Sequence, residues 1–371
     1  MKNVIGVIFA DSHYANLKEL TAVRPLAALP VNGRYRIIDF VLSNMVNSGM
    51  RNVAVVTQNN YHSLMGHLGS GKQWNLARKR YGLILFPPFS NLSSTGSDSR
   101  IDILSGVLGF LKRSTQEYVL LSESNVVMNH TFNEMFDKHV KTNADITVAC
   151  QQVNEYEPSE EYEAFVYEDE EHNVTGIDRG SNIGKANLKH CGYILINKQV
   201  LINIIEESKI RGKRGYLMNI VTRNIGKLNI KTFKLDCYAK KVSTLNEYKQ
   251  VNMEILNKEV RDEIFNEVHP IYTKDKDTTP TRYLSNGSVK NCFVADGCII
   301  DGEIENSIIF RSVVIKKGTV IKDSIILQQS EIGENVTLEN VVVDKKVIVR
   351  DNKRLIGTED FPVVVGKNKI I

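Results

Sequence analysis

The sequence predicts two domains of different architecture, an α/β domain followed by a left-handed parallel β-helix. Three observations lead to this prediction. Short apolar segments alternate with longer amphipathic segments up to about residue 257, the segment 258–285 interrupts them with prolines, charges and turn residues, and aliphatic residues then recur every six positions. We therefore expect an α/β domain at 1–257, a linker at 258–285 and a β-helix at 286–371.

The predicted strands of the first domain are short, apolar and mostly rich in β-branched residues, as buried parallel strands usually are. They lie at 4–9, 52–57, 82–86, 118–122, 145–149 and 192–196. Helices are predicted between them, at 38–49, 100–114 and 131–142, where apolar residues recur along one helical face. This alternation indicates a three-layer α/β domain.

The repeat in the last domain is carried by two series of aliphatic residues. The first is Ile308, Val314, Val320, Ile326, Ile332 and Leu338, and the second is Ile309, Ile315, Ile321 and Leu327. A left-handed β-helix explains this spacing, because each flat side of its coil takes about six residues and directs one aliphatic side chain to the axis. The alternative is a run of antiparallel hairpins. Hexad coils serve as acyltransferase cores in some proteins and as assembly modules in others, so the fold alone does not choose a function.

Composition excludes several classes of protein. The net charge of +4 over 47 basic and 43 acidic side chains, without a block of like charges, gives no reason to expect nucleic-acid binding. No segment is long and apolar enough to indicate a membrane span or a signal peptide. The five cysteines form no C-x-x-C pair, which predicts reduced thiols and a cytoplasmic location.

Two glycine-related features bear on phosphate binding. The first strand runs directly into a segment without glycine, "ADSHYAN" at 10–16, where nucleotide-binding proteins usually place a glycine-rich loop. The segment "GHLGSGKQ" at 66–73 approaches the phosphate-loop pattern, but Gln73 replaces the hydroxyl that would bind magnesium and no buried strand precedes it. We interpret it as a glycine turn that carries Lys72.

Other candidate site residues are ambiguous by themselves. Asp102, Glu123 and Asp178 lie near predicted strand or helix ends, and such acids are more often caps or surface residues than catalytic groups. The histidines show no zinc-ligand spacing. Arg34 and Arg36 flank Tyr35 in an extended segment, where their guanidiniums can point the same way toward an anion. The alternative is a structural ion pair between Arg36 and Asp39.

The segments 20–58, 67–74 and 294–328 resemble bacterial ADP-glucose pyrophosphorylases, which join glucose 1-phosphate to ATP for glycogen synthesis. The quoted motifs are "LTAVRPLAALPVNGRYRIIDFVLSNMVNSGMRNVAVVTQ", "HLGSGKQW" and "VADGCIIDGEIENSIIFRSVVIKKGTVIKDSIILQ". The resemblance extends over almost the whole chain. It implies a Rossmann-like sugar-nucleotidyltransferase domain followed by a left-handed β-helix.

The catalytic motifs of that family are absent here. Its G-G-x-G-T-R loop corresponds to 10–16, its K-P-A lysine to Leu26, and its two metal-binding aspartates to Asn125 and Lys241. The lysine of its E-K-P motif falls near 177–181, where no lysine stands. Nucleotidyl transfer needs a magnesium ion held by carboxylates, and an amide and an ammonium replace them.

The resemblance is therefore to the GlgD-type regulatory subunits of that family. It implies a chain with little or no catalysis, no cofactor of its own, and Mg²⁺ only in a catalytic homologue with which it forms a heterotetramer. The resemblance leaves open whether the chain by itself forms a homo-oligomer. The family's effector pocket between the domains uses basic residues that match Arg24 and Arg36, which implies an anionic small-molecule effector. Alternatives are an active glucose-1-phosphate adenylyltransferase with a rearranged site, a hexapeptide acyltransferase, and a binding-only storage or sensor protein.

Overall fold

A computed structural model describes residues 1–11, 17–57, 60–87, 99–153, 163–179, 188–212, 215 and 217–371. The strands of the first part are β1 Val4–Phe9, β2 Pro30–Val31, β3 Tyr35–Arg36, β4 Asn52–Val56, β5 Gly82–Phe86, β6 Tyr118–Glu123, β7 Val126–Met128, β8 Ile146–Gln152, β9 Ala164–Glu168, β10 Val174–Arg179, β11 Leu188–Asn197, β12 Ile230–Lys234 and β13 Ala239–Lys241. The α-helices are α1 Ile37–Asn47, α2 His62–Leu68, α3 Arg100–Arg113, α4 Asn133–Lys141, α5 Lys198–Ile210, α6 Leu217–Thr222, α7 Leu245–Glu254 and α8 Lys258–Ile264. Short 3₁₀ helices lie at Lys18–Leu20, Leu26–Ala28 and Lys72–Trp74.

The described strands of the first domain form a nine-stranded mixed sheet. Along its main path the order is β10-β9-β11-β6-β1-β4-β5, and β8 joins β11 to β12. Apolar side chains cover both faces in two separate clusters, one that includes α3 and α5 and one that includes α1 and α4. This is the predicted three-layer α/β domain.

One strand differs from the prediction in direction. β1, β4, β5 and β6 run parallel to one another, as expected. β11, which contains the predicted strand 192–196, is antiparallel to β6, β8 and β9. Its apolar composition follows from burial on both faces, and burial does not depend on strand direction.

The C-terminal part is a left-handed parallel β-helix with three sheets of five strands. Its strands are β14 Arg282–Tyr283, β15 Ser288–Lys290, β16 Phe293–Val294, β17 Ile299–Ile300, β18 Glu303–Glu305, β19 Ile308–Ile309, β20 Val314–Ile315, β21 Val320–Lys322, β22 Ile325–Ile326, β23 Glu331–Ile332, β24 Thr337–Glu339, β25 Val341–Val343, β26 Ile348–Val349, β27 Arg354–Ile356 and β28 Val363–Val365. Each sheet takes every third strand, so β14, β17, β20, β23 and β26 stack in one sheet.

The exact six-residue period is wrong for the full coil. In the later coils Val320 pairs with Thr337 and Thr337 with Arg354, a repeat of 17 residues in which one of the three sides has five residues and not six. An earlier coil is shorter still, since Phe293 pairs with Ile308. The predicted series of aliphatic residues at six-residue steps therefore moves from the outside of the coil to its axis. Val314 is half-buried on the outside, whereas the axis is filled by Ile315, Ile321, Ile326, Ile332, Leu338, Val343 and Val349.

The two domains share an apolar interface. Outward-facing residues of the sheet β16-β19-β22-β25-β28, among them Ile308, Ile325 and Val342, pack with Phe40 and Tyr248 of the first domain in one buried cluster. Because such a cluster would be exposed if the domains separated, burial of its apolar area holds them together.

The segment predicted as a linker, 258–285, is bound to the first domain up to Lys274 and to the β-helix from Thr278, and its residues Arg282–Tyr283 already form strand β14. It begins with α8, and its extended part is held by side chains of α1 and of the β7–α4 connection. Asn129 donates to the main-chain oxygens of Ile264 and His269, and Thr273 donates to Asp39. No helix in the described part of the chain is long and apolar enough to span a membrane. The five cysteines are free thiols.

Candidate functional site

The carboxyl ends of the central parallel strands meet at one edge of the sheet, where open α/β sheets bind their ligands. Phe9 at the end of β1 lies opposite Glu123 at the end of β6. We call the space along this edge the cleft, and its described walls are the ends of β1, β6, β7, β11 and β13. The acid Glu123, which the sequence singled out, lies in this wall.

Arg100, the first residue of α3, lies against the end of β1. Its guanidinium lies 4.7 Å from the centroid of the Phe9 ring and donates a hydrogen bond to the main-chain oxygen of Asp11. The side chain is only 4% exposed. Sequence analysis missed Arg100, although a basic residue in the first turn of a helix is unusual because the helix dipole disfavours it. Residues 12–16 of the predicted loop lie outside the described residues.

Asn125 and Lys241, which the family resemblance matches to metal-binding aspartates, lie side by side. Lys241 in β13 pairs with Val126 in β7, and the amide of Val242 donates to the main-chain oxygen of Asn125 at 2.7 Å. The Asn125 side chain is 2% exposed, and its Nδ2 donates to Ser243 Oγ at 3.1 Å. Its Oδ1 is buried without a hydrogen-bond partner.

These residues do not fit a divalent metal ion. Because Asn125 uses its nitrogen toward Ser243, it offers only one neutral oxygen, whereas Mg²⁺ prefers carboxylates and phosphate oxygens. The ammonium of Lys241 beside it repels a cation. Within the described ranges, no three His, Cys, Asp or Glu side chains come together in a group able to hold a metal.

A β-bulge brings β11 against the same wall. The register of β11 with β8 shifts between His190 and Ile194, and Gly192 in the bulge has a φ of 82°. A Cβ at Gly192 would lie 3.1 Å from Val126 Cγ2. Bulges often redirect a side chain beside an active site. Here the bulge begins at His190, which is 2% exposed and whose Nε2 has no hydrogen-bond partner.

The electrostatics of this wall are positive. Burial lowers the pKa of His190 well below its usual value, and the charges of Lys241 and Arg179 lower it further. Burial raises the pKa of Cys191 to about 11, against the smaller opposing effect of Lys241. His190 is therefore a neutral imidazole at pH 7, next to cationic side chains.

A second group of charged residues lies between the two domains. Arg24 forms a buried ion pair with Asp344 of the β-helix, and the two side chains are 3% and 0% exposed. The other terminal nitrogen of Arg24, Nη1, is buried without a partner. The ion pair thus uses part of the guanidinium and leaves a buried donor unsatisfied.

Among the described residues, the guanidinium of Arg36 does not pair with the carboxylate of Asp39, which was the alternative interpretation. Its guanidinium donates to the main-chain oxygen and Oγ of Ser63 at 2.7 and 3.1 Å, and only its backbone amide donates to Asp39. The carboxylate of Asp39 is taken by His67 Nε2 at 2.5 Å and by Thr273 Oγ1 at 2.6 Å. Arg34 is exposed, with its guanidinium 5.5 Å from the Tyr35 ring.

Two lysines missed by sequence analysis complete this group. Burial, together with the charges of Arg36 and Arg24, lowers the pKa of Lys345 to about 6. Partial desolvation, together with the charge of Arg36, also lowers the pKa of Lys276, although this residue remains exposed at the surface. A signal existed in the sequence, since Asp344 and Lys345 interrupt the aliphatic pattern of the β-helix. We call Arg24, Arg36, Lys276 and Lys345 the interdomain cations, of which Lys345 is mostly uncharged at pH 7 and becomes a cation when an anion binds beside it.

The remaining candidates have ordinary surroundings. Leu26 is 3% exposed and packs in the interdomain apolar cluster. Asp178 accepts a hydrogen bond from Tyr167 Oη at 2.6 Å, and Asp102 lies in the first turn of α3. Lys72 is exposed at the start of a 3₁₀ turn that follows helix α2, so no strand precedes the glycine turn.

Comparisons with known proteins match both domains. Residues 6–208 match the nucleotidyl transferase family, and residues 278–360 match the GlmU-like C-terminal hexapeptide family. The chain is 32% identical over 367 residues to the glycogen biosynthesis protein GlgD of Bacillus subtilis (strain 168), covering 99% of this chain and 96% of the other. It is 33% identical over 326 residues to GlgD of Geobacillus stearothermophilus, covering 86% and 82%. It is 29% identical over 360 residues to the glucose-1-phosphate adenylyltransferase of Fervidobacterium nodosum, covering 96% and 86%.

Proposed function

The chain belongs to the nucleotidyl transferase family, and we propose that it is a non-catalytic regulatory subunit of ADP-glucose pyrophosphorylase. Its relatives include GlgD and the glucose-1-phosphate adenylyltransferases, which support a role of the chain in glycogen biosynthesis. It modulates a catalytic homologue that converts ATP and glucose 1-phosphate into ADP-glucose and diphosphate.

The observation that carries this proposal is the position of Lys241 beside Asn125. Bringing a triphosphate and a sugar phosphate together requires a divalent cation to neutralise their charge, and that cation needs carboxylate ligands. At about 4 Å in a partly screened site, an ammonium repels a divalent cation by an energy on the order of several kcal/mol. The cleft therefore lacks the means to hold magnesium, and magnesium belongs to the catalytic partner.

The position of Arg100 supports the same conclusion. Its guanidinium packs on Phe9 and binds the main-chain oxygen of Asp11, just beyond β1. A nucleotide phosphate in that space would have to displace a buried, hydrogen-bonded guanidinium, and such contacts are worth roughly 1.5–3 kcal/mol. The missing metal ligands and the position of Arg100 affect different parts of the reaction. No single compensating change would therefore restore both.

The interdomain cations support a regulatory role. Arg24 pairs with the buried carboxylate of Asp344, and the charges of Arg24, Arg36 and Lys276 all act on Lys345. A phosphorylated small molecule entering there would satisfy the buried Nη1 of Arg24, reduce the repulsion between the charged side chains, and allow Lys345 to take up a proton beside it. Because the group lies between the α/β domain and the β-helix, its occupation alters the contact between them, which is how a bound effector can reach a partner subunit.

The first experiment tests catalysis by the isolated chain. Purified protein is assayed with ATP, glucose 1-phosphate and magnesium, and we expect little or no ADP-glucose. The chain is then added to the catalytic homologue from the same host, and we expect a higher rate or a changed effector response, with light scattering consistent with a mixed tetramer. Turnover of about 10 per second by the isolated chain, which is typical of enzymes, would show instead an active adenylyltransferase with a rearranged site.

The second experiment tests regulation through Arg36. We expect Arg36→Ala to change the partner's activation or effector response, because it removes one of the interdomain cations. Arg34→Ala is the matched control, because Arg34 is two residues away and exposed. Melting temperatures are measured beside the activation curves. An Arg36→Ala chain that is less stable yet activates its partner normally would assign Arg36 a structural role only.

A further inference from the structure

A small pocket lies at the amino ends of the parallel strands, the edge of the sheet opposite to the cleft. It is bounded by the turn between α1 and β4, by the segment that precedes β5 and by a residue of the segment 258–285, and its volume is about 270 Å³. Pockets for drug-sized ligands usually hold about 300–1,000 Å³, so this one suits a smaller molecule. We call it the amino-edge pocket, and the side chains that matter below are those of Arg51, Gln73, Trp74, Arg78 and Tyr272.

The charges in the amino-edge pocket are positive. Arg51 and Arg78 are exposed, and none of the described residues that line the pocket is acidic. Within the described ranges neither guanidinium forms an ion pair, and only Nε of Arg78 is used, since it donates to the main-chain oxygen of Asn75 at 2.8 Å. An acidic group in the pocket can therefore accept charge-assisted hydrogen bonds from both side chains.

The carboxyl end of α1 opposes an anion only weakly. A helix end carries about half an elementary charge, which is less than the charge of two guanidiniums. The last carbonyl oxygens of α1 are also already used, because the amides of Ser48, Gly49 and Met50 donate to them at 2.9–3.1 Å. The two arginines therefore set the sign of the potential in the pocket.

The wall formed by Trp74 is apolar and fixed. Trp74 is 1% exposed, and its ring lies edge-on to His67 with 5.9 Å between the ring centroids. His67 Nε2 lies 2.5 Å from Asp39 Oδ1, so the indole rests on a buried group that is itself held in place. Tyr272 contributes a second ring, and its backbone amide donates to Ser43 Oγ at 2.9 Å. Two aromatic side chains at one pocket favour a ligand with a flat apolar body.

The indole nitrogen of Trp74 is an independent indication of a ligand. Its Nε1 is buried and has no hydrogen-bond partner, although a buried Trp N–H usually finds one. Gln73, the residue before Trp74, lines the same pocket and is only half-buried. A ligand oxygen that enters beside the indole would supply the missing acceptor.

We propose that the amino-edge pocket binds a small organic anion, namely a single aromatic ring that carries a phosphate or carboxylate group. The acidic group binds Arg51 and Arg78, and the ring packs against Trp74 and Tyr272. The pocket is separate from the cleft and from the interdomain cations. Binding there depends neither on the regulatory role proposed above nor on a partner subunit.

The test is titration of the isolated chain with phenyl phosphate, followed by tryptophan fluorescence and by calorimetry. Trp74 is the only tryptophan of the chain, so the fluorescence signal comes from this pocket. We expect saturable binding that the double variant Arg51→Ala/Arg78→Ala weakens by about fivefold or more, because each exposed ion pair contributes up to about fivefold. Lys79→Ala/Arg80→Ala is the matched control, since it removes two charges from exposed residues outside the pocket and should leave the affinity unchanged.

Two further ligands test the two parts of the molecule on the unmodified chain. Phenyl phosphate should bind more tightly than inorganic phosphate, which lacks the ring, and more tightly than phenol, which lacks the acidic group. Absence of saturable binding in both measurements, equal weakening by the two double variants, or equal affinity for either fragment overturns the proposal. Binding that Lys345→Met removes and Arg51→Ala/Arg78→Ala leaves intact assigns the ligand to the interdomain cations and overturns it as well.

Discussion

Replacing Lys345 by methionine should change how the stability of the protein depends on pH. Lys345 is 9% exposed and lies among Arg36, Arg24 and Lys276, and its pKa is lowered from 10.5 to about 6. Methionine has a similar length and no charge, so it can fill the same space. The variant removes one titrating group and leaves the ion pair between Arg24 and Asp344 in place.

The sign of the effect follows from the two pKa values of Lys345. Between about pH 6 and pH 10.5, the unfolded chain carries a proton on Lys345 that the folded chain has released. Unfolding in that window takes up a proton, so the free energy of unfolding rises with pH by up to about 1.4 kcal/mol per unit. Below about pH 6 both states are protonated and this contribution no longer changes.

The Lys345→Met variant lacks this slope. We expect it to be more stable than the natural chain near pH 7, and the difference should shrink by about 3 kcal/mol between about pH 7 and about pH 9. Urea denaturation at several pH values measures it. Lys346→Met is the matched control, because Lys346 is the exposed next residue, and its profile should run parallel to that of the natural chain. Parallel profiles for Lys345→Met and the natural chain would refute the assignment of a neutral, buried Lys345.

The same titration predicts proton uptake when an anion binds between the domains. An anion beside Lys345 raises its pKa again, so binding near pH 8 should take up as much as one proton. Calorimetry with inorganic phosphate in two buffers of different ionisation enthalpy measures this uptake. The uptake should be lost in Lys345→Met and kept in Lys346→Met.

Three further predictions concern stability. Gly192→Ala should lower the melting temperature by more than Gly226→Ala, with an added cost of about 1–3 kcal/mol, because both glycines have positive φ but only Gly192 has neighbours in the way of a Cβ. Asp344→Asn should lower the free energy of unfolding by about 3–5 kcal/mol, because it leaves Arg24 buried and unpaired, and an Arg24→Met/Asp344→Leu double variant should recover most of this loss. Phe310→Ala in the interdomain cluster should cost about 3–5 kcal/mol in urea denaturation, whereas Phe361→Ala, which is 80% exposed, should cost within about 0.5 kcal/mol. Equal losses within any of these pairs would contradict the packing described for it.

The architecture was predictable because both periods are local properties of the chain. Short apolar segments separated by amphipathic helices indicate a covered sheet, and a near-six repeat indicates a coil with three flat sides. The absence of a glycine loop and the residues Asn125 and Lys241 were also visible in the printed sequence, and they led to the expectation of weak or absent catalysis.

The register of the coil was not predictable from the repeat. The six-residue series passes through Val314 on the outside and Ile326 on the inside, because a coil of 17 residues has one shorter side. Adjacent aliphatic residues such as Ile308 and Ile309 are equally apolar. Only the pairing of successive coils decides which of them faces the axis and which packs on the other domain.

The sequence by itself determined the two fold classes, and its resemblance to the pyrophosphorylase family led to the expectation that the catalytic carboxylates are replaced at Asn125 and Lys241. The tertiary structure decided which charges meet. Arg24 and Asp344 are separated by 320 positions, and their ion pair, like the lowered pKa of Lys345, exists only because the β-helix packs against the α/β domain. The contact of Arg100 with Asp11 and the proximity of Lys241 to His190 have the same origin. Electrostatic energies depend on distance and burial in space, and neither quantity is a local property of the chain.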